Sequence, residues 1–196
     1  MKIKKSIPKA GWKMTKIAVG GVVLAGLAIG TLAYAQPQPL TPVEKVELDK
    51  YLGVWYEVAR KPMYFQNSCD HNVSATYTLN ENGNLNVDNR CYQKDGSLKQ
   101  AMGEAFIRNA PFNSKLTVSF LPEAVRWIPV GRGDYWILKI DEDYQTVLVG
   151  EPRRKYLWVL SRTQQPDEAV VKEYLDYAKS VGYNLNDVIR TKQIKK

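Results

Sequence analysis

Eight short segments with alternating apolar residues follow one another along this chain, and they constrain the fold more than any other feature. Residues 73–79 alternate most clearly, which gives a strand one apolar face. Turn sequences separate the segments, and Asn82-Gly83 is a strong hairpin signal. Short strands joined by short turns predict an antiparallel meander, and eight strands can close into a barrel without exposed edges. The predicted strands are 53–61, 72–79, 85–92, 99–108, 115–120, 134–140, 146–151 and 156–162.

One helix is predicted after the last strand. Pro166 and Asp167 suit its N-terminus, and Gly182 suits its end. Apolar residues recur at helical spacing between them, so one face should pack against the barrel. The predicted fold class is therefore mainly all-β, an eight-stranded antiparallel up-and-down β-barrel with one C-terminal α-helix packed outside.

The first 35 residues have the order of a secretory signal peptide. Lysines precede an uncharged stretch, 17–34, which ends in Ala33-Tyr34-Ala35. The stretch is nearly long enough to span a bilayer, so an uncleaved anchor in the inner membrane is the alternative. The predicted organisation is a signal peptide at 1–35, a proline-rich linker at 36–45, the barrel domain at 46–193 and a basic tail end at 194–196.

The charge of the folded part gives no support to nucleic-acid binding. The full chain has 28 Lys and Arg against 20 Asp and Glu. Six of the lysines precede residue 36, which leaves 22 basic and 20 acidic groups in residues 36–196. Binding to nucleic acid needs basic groups concentrated on a folded surface. The basic residues after Asp187 are expected to form a solvated, frayed tail.

Three short motifs stand in a fixed order on the predicted strands. Gly53-Val54-Trp55-Tyr56 begins the first strand, Asp143-Tyr144 lies in the turn before the seventh, and Arg162 ends the eighth. Together they resemble the signature regions of the lipocalins, and the surrounding sequence is similar to the bacterial outer-membrane lipocalins and their apolipoprotein D relatives. The resemblance covers about 46–193 and implies a calyx that binds fatty acids or lysophospholipids.

The resemblance also bears on location. Members of the bacterial branch often have a cysteine to be acylated at the cleavage site, whereas this chain has Gln36. We therefore expect an exported protein, in the periplasm or associated with the outer membrane.

Alternating strand directions bring the three motifs to one end of the barrel. If the first strand starts at the closed end with Trp55, the turn holding Tyr144 and the strand end at Arg162 lie there too. Arg162 can then lie over the Trp55 indole, a cation–π contact of about 0.5–2 kcal/mol. Its expected role is structural, with contact to a charged ligand as the alternative.

The barrel interior is predicted to be hollow, because five small residues point inward by alternation: Ala59, Ala75, Ala101, Gly103 and Ala105. An apolar, aromatic wall favours an acyl chain or a flat hydrophobe held by one or two polar groups. Ordinary core packing is the alternative for each wall residue. The residues predicted to contact the ligand are Trp158, Tyr135, Tyr77, Ile137, Ile107, Val118, Tyr156, Ala59 and Glu57, with Val87, Leu116 and Leu148 as further wall.

Glu57 shares the inward face with Trp55 if the first strand is regular. A buried carboxylate needs a partner. The expected partner is Lys139 or a tyrosine hydroxyl near the floor, and direct ligand recognition is the alternative. A deep acid would suit a neutral or cationic ligand head better than a carboxylate, which leaves the head group open.

Two loops expected at the open end are rich in apolar residues: Met63, Tyr64 and Phe65 in the first, and Val125, Trp127 and Ile128 in the third. Such residues gate ligand entry or touch a membrane surface, unless they fold back on the rim. Cys69 and Cys91 lie toward the same end. Ideal flat strands would hold the two cysteines too far apart for a disulfide. We still expect a disulfide, because export places the protein in an oxidising compartment. The first loop must then curl inward.

Catalysis is not expected. His71 is the only histidine, which excludes a histidine-based metal cluster, and no phosphate loop or cofactor fingerprint is present. We therefore predict no metal and no cofactor, and a small hydrophobic ligand or lipid as partner, with a homodimer left open. The alternatives are a membrane-tethered surface or assembly protein without a stored ligand, and a lipocalin-type enzyme.

Overall fold

The computed structural model describes residues 39–194, in which antiparallel strands close into a barrel. Each of the first seven strands pairs with the next, and the eighth pairs with the first, which completes the circle. The predicted eight-stranded barrel is confirmed. The strands are β1 Gly53–Arg60, β2 His71–Leu79, β3 Leu85–Tyr92, β4 Leu98–Ile107, β5 Lys115–Ser119, β6 Gly133–Ile140, β7 Thr146–Gly150, β8 Leu157–Ser161 and β9 Ile189–Arg190.

The predicted C-terminal helix, α2, spans Glu168–Ser180, and a single turn, α1, spans Leu48–Tyr51 before the barrel. The Asp167 carboxylate caps α2 by accepting a hydrogen bond from the Ala169 amide at 2.8 Å. The inner face of α2 packs in one buried cluster with β7 and β8. The helix therefore lies against the outside of the barrel, as its apolar spacing predicts.

A β-bulge in β1 changes which residues face the interior. Glu57 pairs with Leu160 and Ala59 pairs with Val159, so Val58 is an extra residue on β1. One extra residue reverses the alternation beyond it. Ala59 therefore lies in the buried cluster beneath α2, and the prediction that it points into the cavity is wrong.

A second bulge in β6 has the same effect. Ile137 pairs with Val149 and Lys139 with Leu148, which turns Lys139 outward, where its Nζ lies 2.6 Å from Glu173 Oε1 of α2. The expected interior position of Lys139 is wrong. Leu148 was expected in the cavity wall but packs beneath α2. All five residues of β7 are buried, so apolar alternation cannot distinguish the two faces of that strand.

The C-terminal segment forms a strand rather than a frayed tail. β1 pairs with β2 only as far as Tyr56, and β9 occupies the same edge of β1 further along, with Arg190 opposite Ala59. Gln193 spans the gap between β1 and β2, since its Nε2 donates to the carbonyl oxygens of Glu57 and Val73, both at 2.8 Å. The expectation of fraying is wrong for residues 189–194, because it ignored the open backbone edge of β1.

The predicted signal peptide, the first three residues of the predicted linker, 36–38, and the last two residues of the chain lie outside the described residues. From residue 39 to residue 194, no helix is long and apolar enough to cross a membrane.

Candidate functional site

A cavity of about 690 Å³ lies inside the barrel. It reaches from the rings of Tyr77 and Tyr135 to the loop residues Phe65 and Leu121. Small-molecule sites usually have about 300–1,000 Å³ and a mostly apolar wall with a few polar groups. The wall here is of that kind, with Val73, Ala75, Val87, Ala101, Val118, Trp158 and Leu160 among its apolar members.

The floor is closed by Trp55 and Arg162. Trp55 is fully buried, and its indole nitrogen donates to the Tyr51 carbonyl at 2.8 Å. The guanidinium carbon of Arg162 lies 3.8 Å from the centre of the Trp55 ring system, which is cation–π geometry. The indole is thus held between the core above it and a cation beneath it.

Arg162 also ties the chain entrance to the barrel. Its Nη atoms donate to the carbonyl oxygens of Lys50, Leu52 and Val54 at 2.7, 2.8 and 2.7 Å. Its Nε donates to the Tyr144 carbonyl at 3.3 Å, and the Tyr144 hydroxyl accepts from the Glu47 amide at 2.8 Å. Asp143 is exposed beside it. The three motifs therefore meet at one end, with Gly53 at the start of β1 at a φ of 93°.

Six of the nine residues predicted to contact ligand line the cavity: Trp158, Tyr135, Tyr77, Val118, Tyr156 and Glu57. Ile137 and Ile107 pack in the core cluster that contains Trp55. Of the small residues expected to leave a void, Gly103 lies under Phe120, since a Cβ at Gly103 would be 2.7 Å from that ring. The Phe120 ring therefore fills part of the expected space. Phe120 alternates with Leu116 and Val118 in its predicted strand, so the sequence already indicated that its side chain points inward.

Glu57 lies in the cavity wall and is 2% exposed. Its carboxylate accepts hydrogen bonds from Gln66 Nε2 at 2.9 Å and from Thr191 Oγ1 at 2.5 Å. Arg60 Nε lies 3.1 Å from it, although this nitrogen makes no well-aligned hydrogen bond. Burial raises the pKa of the Glu57 carboxyl, and its hydrogen bonds and Arg60 partly oppose that rise.

The expected partners of Glu57, Lys139 or a tyrosine hydroxyl, are wrong. The bulge at Val58 puts Arg60 on the interior face, where it is 6% exposed and pairs with Glu57. Arg60 could not be predicted as the partner from the sequence, because regular alternation along β1 would turn its side chain outward. Arg60 therefore offsets the charge of the Glu57 carboxylate beside it.

The first mouth loop is fixed over the cavity. Trp158 Nε1 donates to Gln66 Oε1 at 3.1 Å, and the same Gln66 side chain donates to Glu57. A disulfide joins Cys69 to Cys91, whose Cα atoms are 5.6 Å apart. The predicted bridge is confirmed, and the loop curls inward as it requires.

Apolar side chains surround the mouth. Tyr64 is 78% exposed, and Trp127 and Val130 are each 73% exposed. Phe65 is 43% exposed and also lines the cavity. Met63 differs from the expectation, because it is buried.

Three tyrosine hydroxyls form a buried chain at the base of the cavity. Tyr135 lies in the middle, with its hydroxyl oxygen 2.7 Å from that of Tyr51 and 2.8 Å from that of Tyr77. Burial raises the pKa of Tyr77 to about 12 and raises those of Tyr51 and Tyr135 well above the usual value. All three hydroxyls therefore stay protonated at neutral pH.

Among the described residues, the cysteine and histidine side chains make structural contacts. Cys69 is in a disulfide, and His71 stacks on Tyr92 with ring centres 5.3 Å apart while its Nδ1 lies 3.1 Å from Asp70 Oδ2. No group of three or more His, Cys, Asp or Glu side chains in residues 39–194 could hold a metal ion.

Comparison with known proteins agrees with this geometry. A family model described as a lipocalin-like domain matches residues 46–193. This chain belongs to the lipocalin family. Lipocalins as a family bind small hydrophobic ligands, so the hollow, apolar interior of this lipocalin has the expected character.

This lipocalin has relatives in bacteria, plants and animals. It is 34% identical to the outer membrane lipoprotein Blc of Escherichia coli K12 over 176 residues, which cover 89% of this chain and 95% of that protein. It is 39% identical to temperature-induced lipocalin-1 of Arabidopsis thaliana over 77% of this chain and 81% of that protein. It is 34% identical to apolipoprotein D of Bos taurus over 75% of this chain and 78% of that protein.

Solved structures support the same fold. The cockroach allergen Per a 4 superposes with a TM-score of 0.59 at 19% identity, over 79% of this chain and 92% of that one.

Proposed function

We propose that this lipocalin binds one small hydrophobic molecule, of the fatty-acid or lysophospholipid type, and stores or carries it in the cell envelope. The observation that carries the proposal is the apolar cavity of about 690 Å³ above a floor sealed by Trp55 and Arg162. Removing an acyl chain from water gains about 0.8 kcal/mol for each buried CH₂ group. A wall of this composition therefore favours an acyl chain over a polar solute.

The charges of the cavity support an anionic head group near the mouth. Arg60 offsets the charge of Glu57 lower in the barrel. Lys99 lines the cavity beside the mouth loops, and its Nζ donates to Ser68 Oγ at 2.9 Å. In this proposal a carboxylate or phosphate accepts a hydrogen bond from the Lys99 ammonium while the acyl chain points toward the floor.

Two observations support a role in the envelope. The chain is similar to proteins named outer membrane lipoprotein Blc, and its first 35 residues have the order of an export signal. In this proposal the exposed Tyr64, Trp127 and Val130 touch the membrane surface while a ligand is exchanged, because they surround the cavity mouth. Pairing of two protomers stays a prediction.

The test is a titration with a fluorescent fatty acid, for the natural sequence and two variants. Ala101→Phe puts a large ring into the cavity, and Met102→Phe puts the same ring on the outer face of the same strand, where Met102 is 51% exposed. We expect saturable binding of one molecule, at least tenfold weaker in Ala101→Phe and unchanged in Met102→Phe. Absence of binding to the natural sequence, or equal affinity in all three proteins, would contradict ligand binding in the cavity and favour a scaffold role.

A further inference from the structure

The chain of hydroxyls at the cavity base cannot satisfy all of its own protons. Tyr51, Tyr135 and Tyr77 carry three O–H groups but make two hydrogen bonds among themselves. Tyr135 can donate to only one neighbour. In every arrangement of the three protons, one O–H group has no acceptor within the chain of hydroxyls. The described residues provide no other hydrogen-bond acceptor for it.

The left-over donor is buried at the bottom of the cavity. Tyr51, Tyr77 and Tyr135 are 1%, 3% and 9% exposed, and Tyr77 and Tyr135 line the cavity wall. A buried donor without an acceptor loses the hydrogen bond that water would give it, which costs about 1–3 kcal/mol. If the ligand presented only methyl and methylene groups to these rings, it would leave that donor unpaired.

We infer that the tyrosine chain is a ligand subsite for an uncharged oxygen acceptor, a carbonyl or hydroxyl, on the part of the ligand that reaches the cavity base. The inference rests on the proposed function and makes its ligand more specific, an oxygenated hydrophobe rather than a plain acyl chain. The acceptor is uncharged because, among the described residues, the hydroxyls make hydrogen bonds to one another and none to a Lys or Arg side chain. The guanidinium of Arg162 lies against Trp55 and donates to backbone carbonyls, and an anion buried against neutral hydroxyls alone would keep a large desolvation cost.

The geometry also makes the subsite adaptable. Tyr135 can accept from both neighbours and donate to the ligand, or it can donate to Tyr77, whose own O–H then donates to the ligand. A hydroxyl ligand can likewise donate to one tyrosine and accept from another. The subsite can therefore bind most carbonyl or hydroxyl oxygens, but it disfavours a hydrocarbon group of the same shape.

The experiment compares two isosteres, 2-pentadecanone and 2-methyl-1-pentadecene, in which a CH₂ group replaces the carbonyl oxygen. Affinities are measured by displacement of a fluorescent probe from the natural sequence, from Tyr77→Phe/Tyr135→Phe and from Tyr56→Phe. The double variant removes both cavity-facing hydroxyls, and Tyr56 is a matched tyrosine on the outer face of β1. The difference in hydration between the two compounds cancels when their affinity ratio is compared across the proteins.

We expect the ratio of ketone to alkene affinity to fall about fivefold in the double variant, the equivalent of one net hydrogen bond, and to stay unchanged in Tyr56→Phe. An unchanged ratio in the double variant, with both compounds still bound, would overturn this inference and leave the proposed function standing. Displacement of the bound probe by neither compound would overturn this inference alone, whereas failure of the fluorescent fatty-acid probe itself to bind the natural sequence would overturn the proposed function with it.

A second measurement needs no variant and covers the case in which the double variant does not fold. The infrared carbonyl stretch of ¹³C-labelled 2-pentadecanone bound to the natural sequence should lie below its position in hexane, because a hydrogen bond weakens the C=O bond. A stretch at the hexane position would overturn the inference.

Discussion

Replacement of Arg162 by Ala should destabilise the barrel by about 3–4 kcal/mol. The side chain makes three hydrogen bonds of 2.7 to 2.8 Å to the carbonyls of Lys50, Leu52 and Val54. Bonds from a charged donor contribute about 1.5–3 kcal/mol each when buried, but Arg162 is only partly buried. We therefore take about 1 kcal/mol for each, with about 0.5–1 kcal/mol for the contact with Trp55.

The assay is urea unfolding followed by tryptophan fluorescence, with thermal unfolding alongside. A loss of this size corresponds to roughly 10 °C in Tm for a domain of this length. Arg162→Lys should lose about half as much, because an ammonium keeps the charge but cannot reach three carbonyls in one plane. Lys172→Ala, which breaks an exposed pair with Asp176 on α2, should change stability little. A loss below about 1 kcal/mol for Arg162→Ala, or no difference between Ala and Lys, would refute the account of the floor.

Three further predictions concern the cavity wall and mouth. The raised pKa of the Glu57 carboxyl lowers the stability of the folded state at pH values above that pKa. It has no effect well below about 4.5, where the carboxyl is protonated in both the folded and the unfolded state. The natural sequence should therefore gain stability relative to Glu57→Gln as the pH falls from 7 to 4. Cys69→Ser/Cys91→Ser should cost about 3 kcal/mol, from the 22-residue separation of the bridged positions, and the unreduced natural protein should show no reactive thiol. Phe65→Ser/Trp127→Ser should slow fatty-acid transfer from lipid vesicles and leave the unfolding transition in place.

Each of these predictions has a clear contrary result. Parallel stability curves for the natural sequence and Glu57→Gln between pH 7 and 4 would contradict the raised pKa. Two titratable thiols before reduction would contradict the Cys69–Cys91 bridge. Unchanged transfer rates in Phe65→Ser/Trp127→Ser would remove membrane contact by the mouth.

The barrel was predictable because most of its strands bury one face only. In residues 73–79 the apolar and polar positions alternate, and Asn82-Gly83 marks the turn that follows, so the strand and its hairpin could both be inferred. The convergence of Trp55, Tyr144 and Arg162 followed from strand directions alone. These are properties of local pattern and of topology, which a sequence displays directly.

The cavity wall was less predictable because two bulges reverse the alternation. An extra residue at Val58 turns Ala59 out and Arg60 in, and another in β6 turns Lys139 out. Both bulged strands run beneath α2, where apolar residues are buried on the outer face too, so hydrophobicity does not mark the change. The contacts of Thr191 and Gln193 with β1 could not be predicted either. They depend on the part of the β1 edge that β2 leaves unpaired, which is known only once the barrel is closed.

The most direct test of ligand binding in the cavity is mass spectrometry of lipids that accompany the protein when it is purified from its own cells without denaturation. We predict about one bound hydrophobic molecule per protein, an amphiphile that carries an uncharged oxygen besides any head group. We expect Ala101→Phe to be purified without it. Repeated recovery of the natural sequence with no bound hydrophobe, or equal recovery from Ala101→Phe, would contradict this prediction.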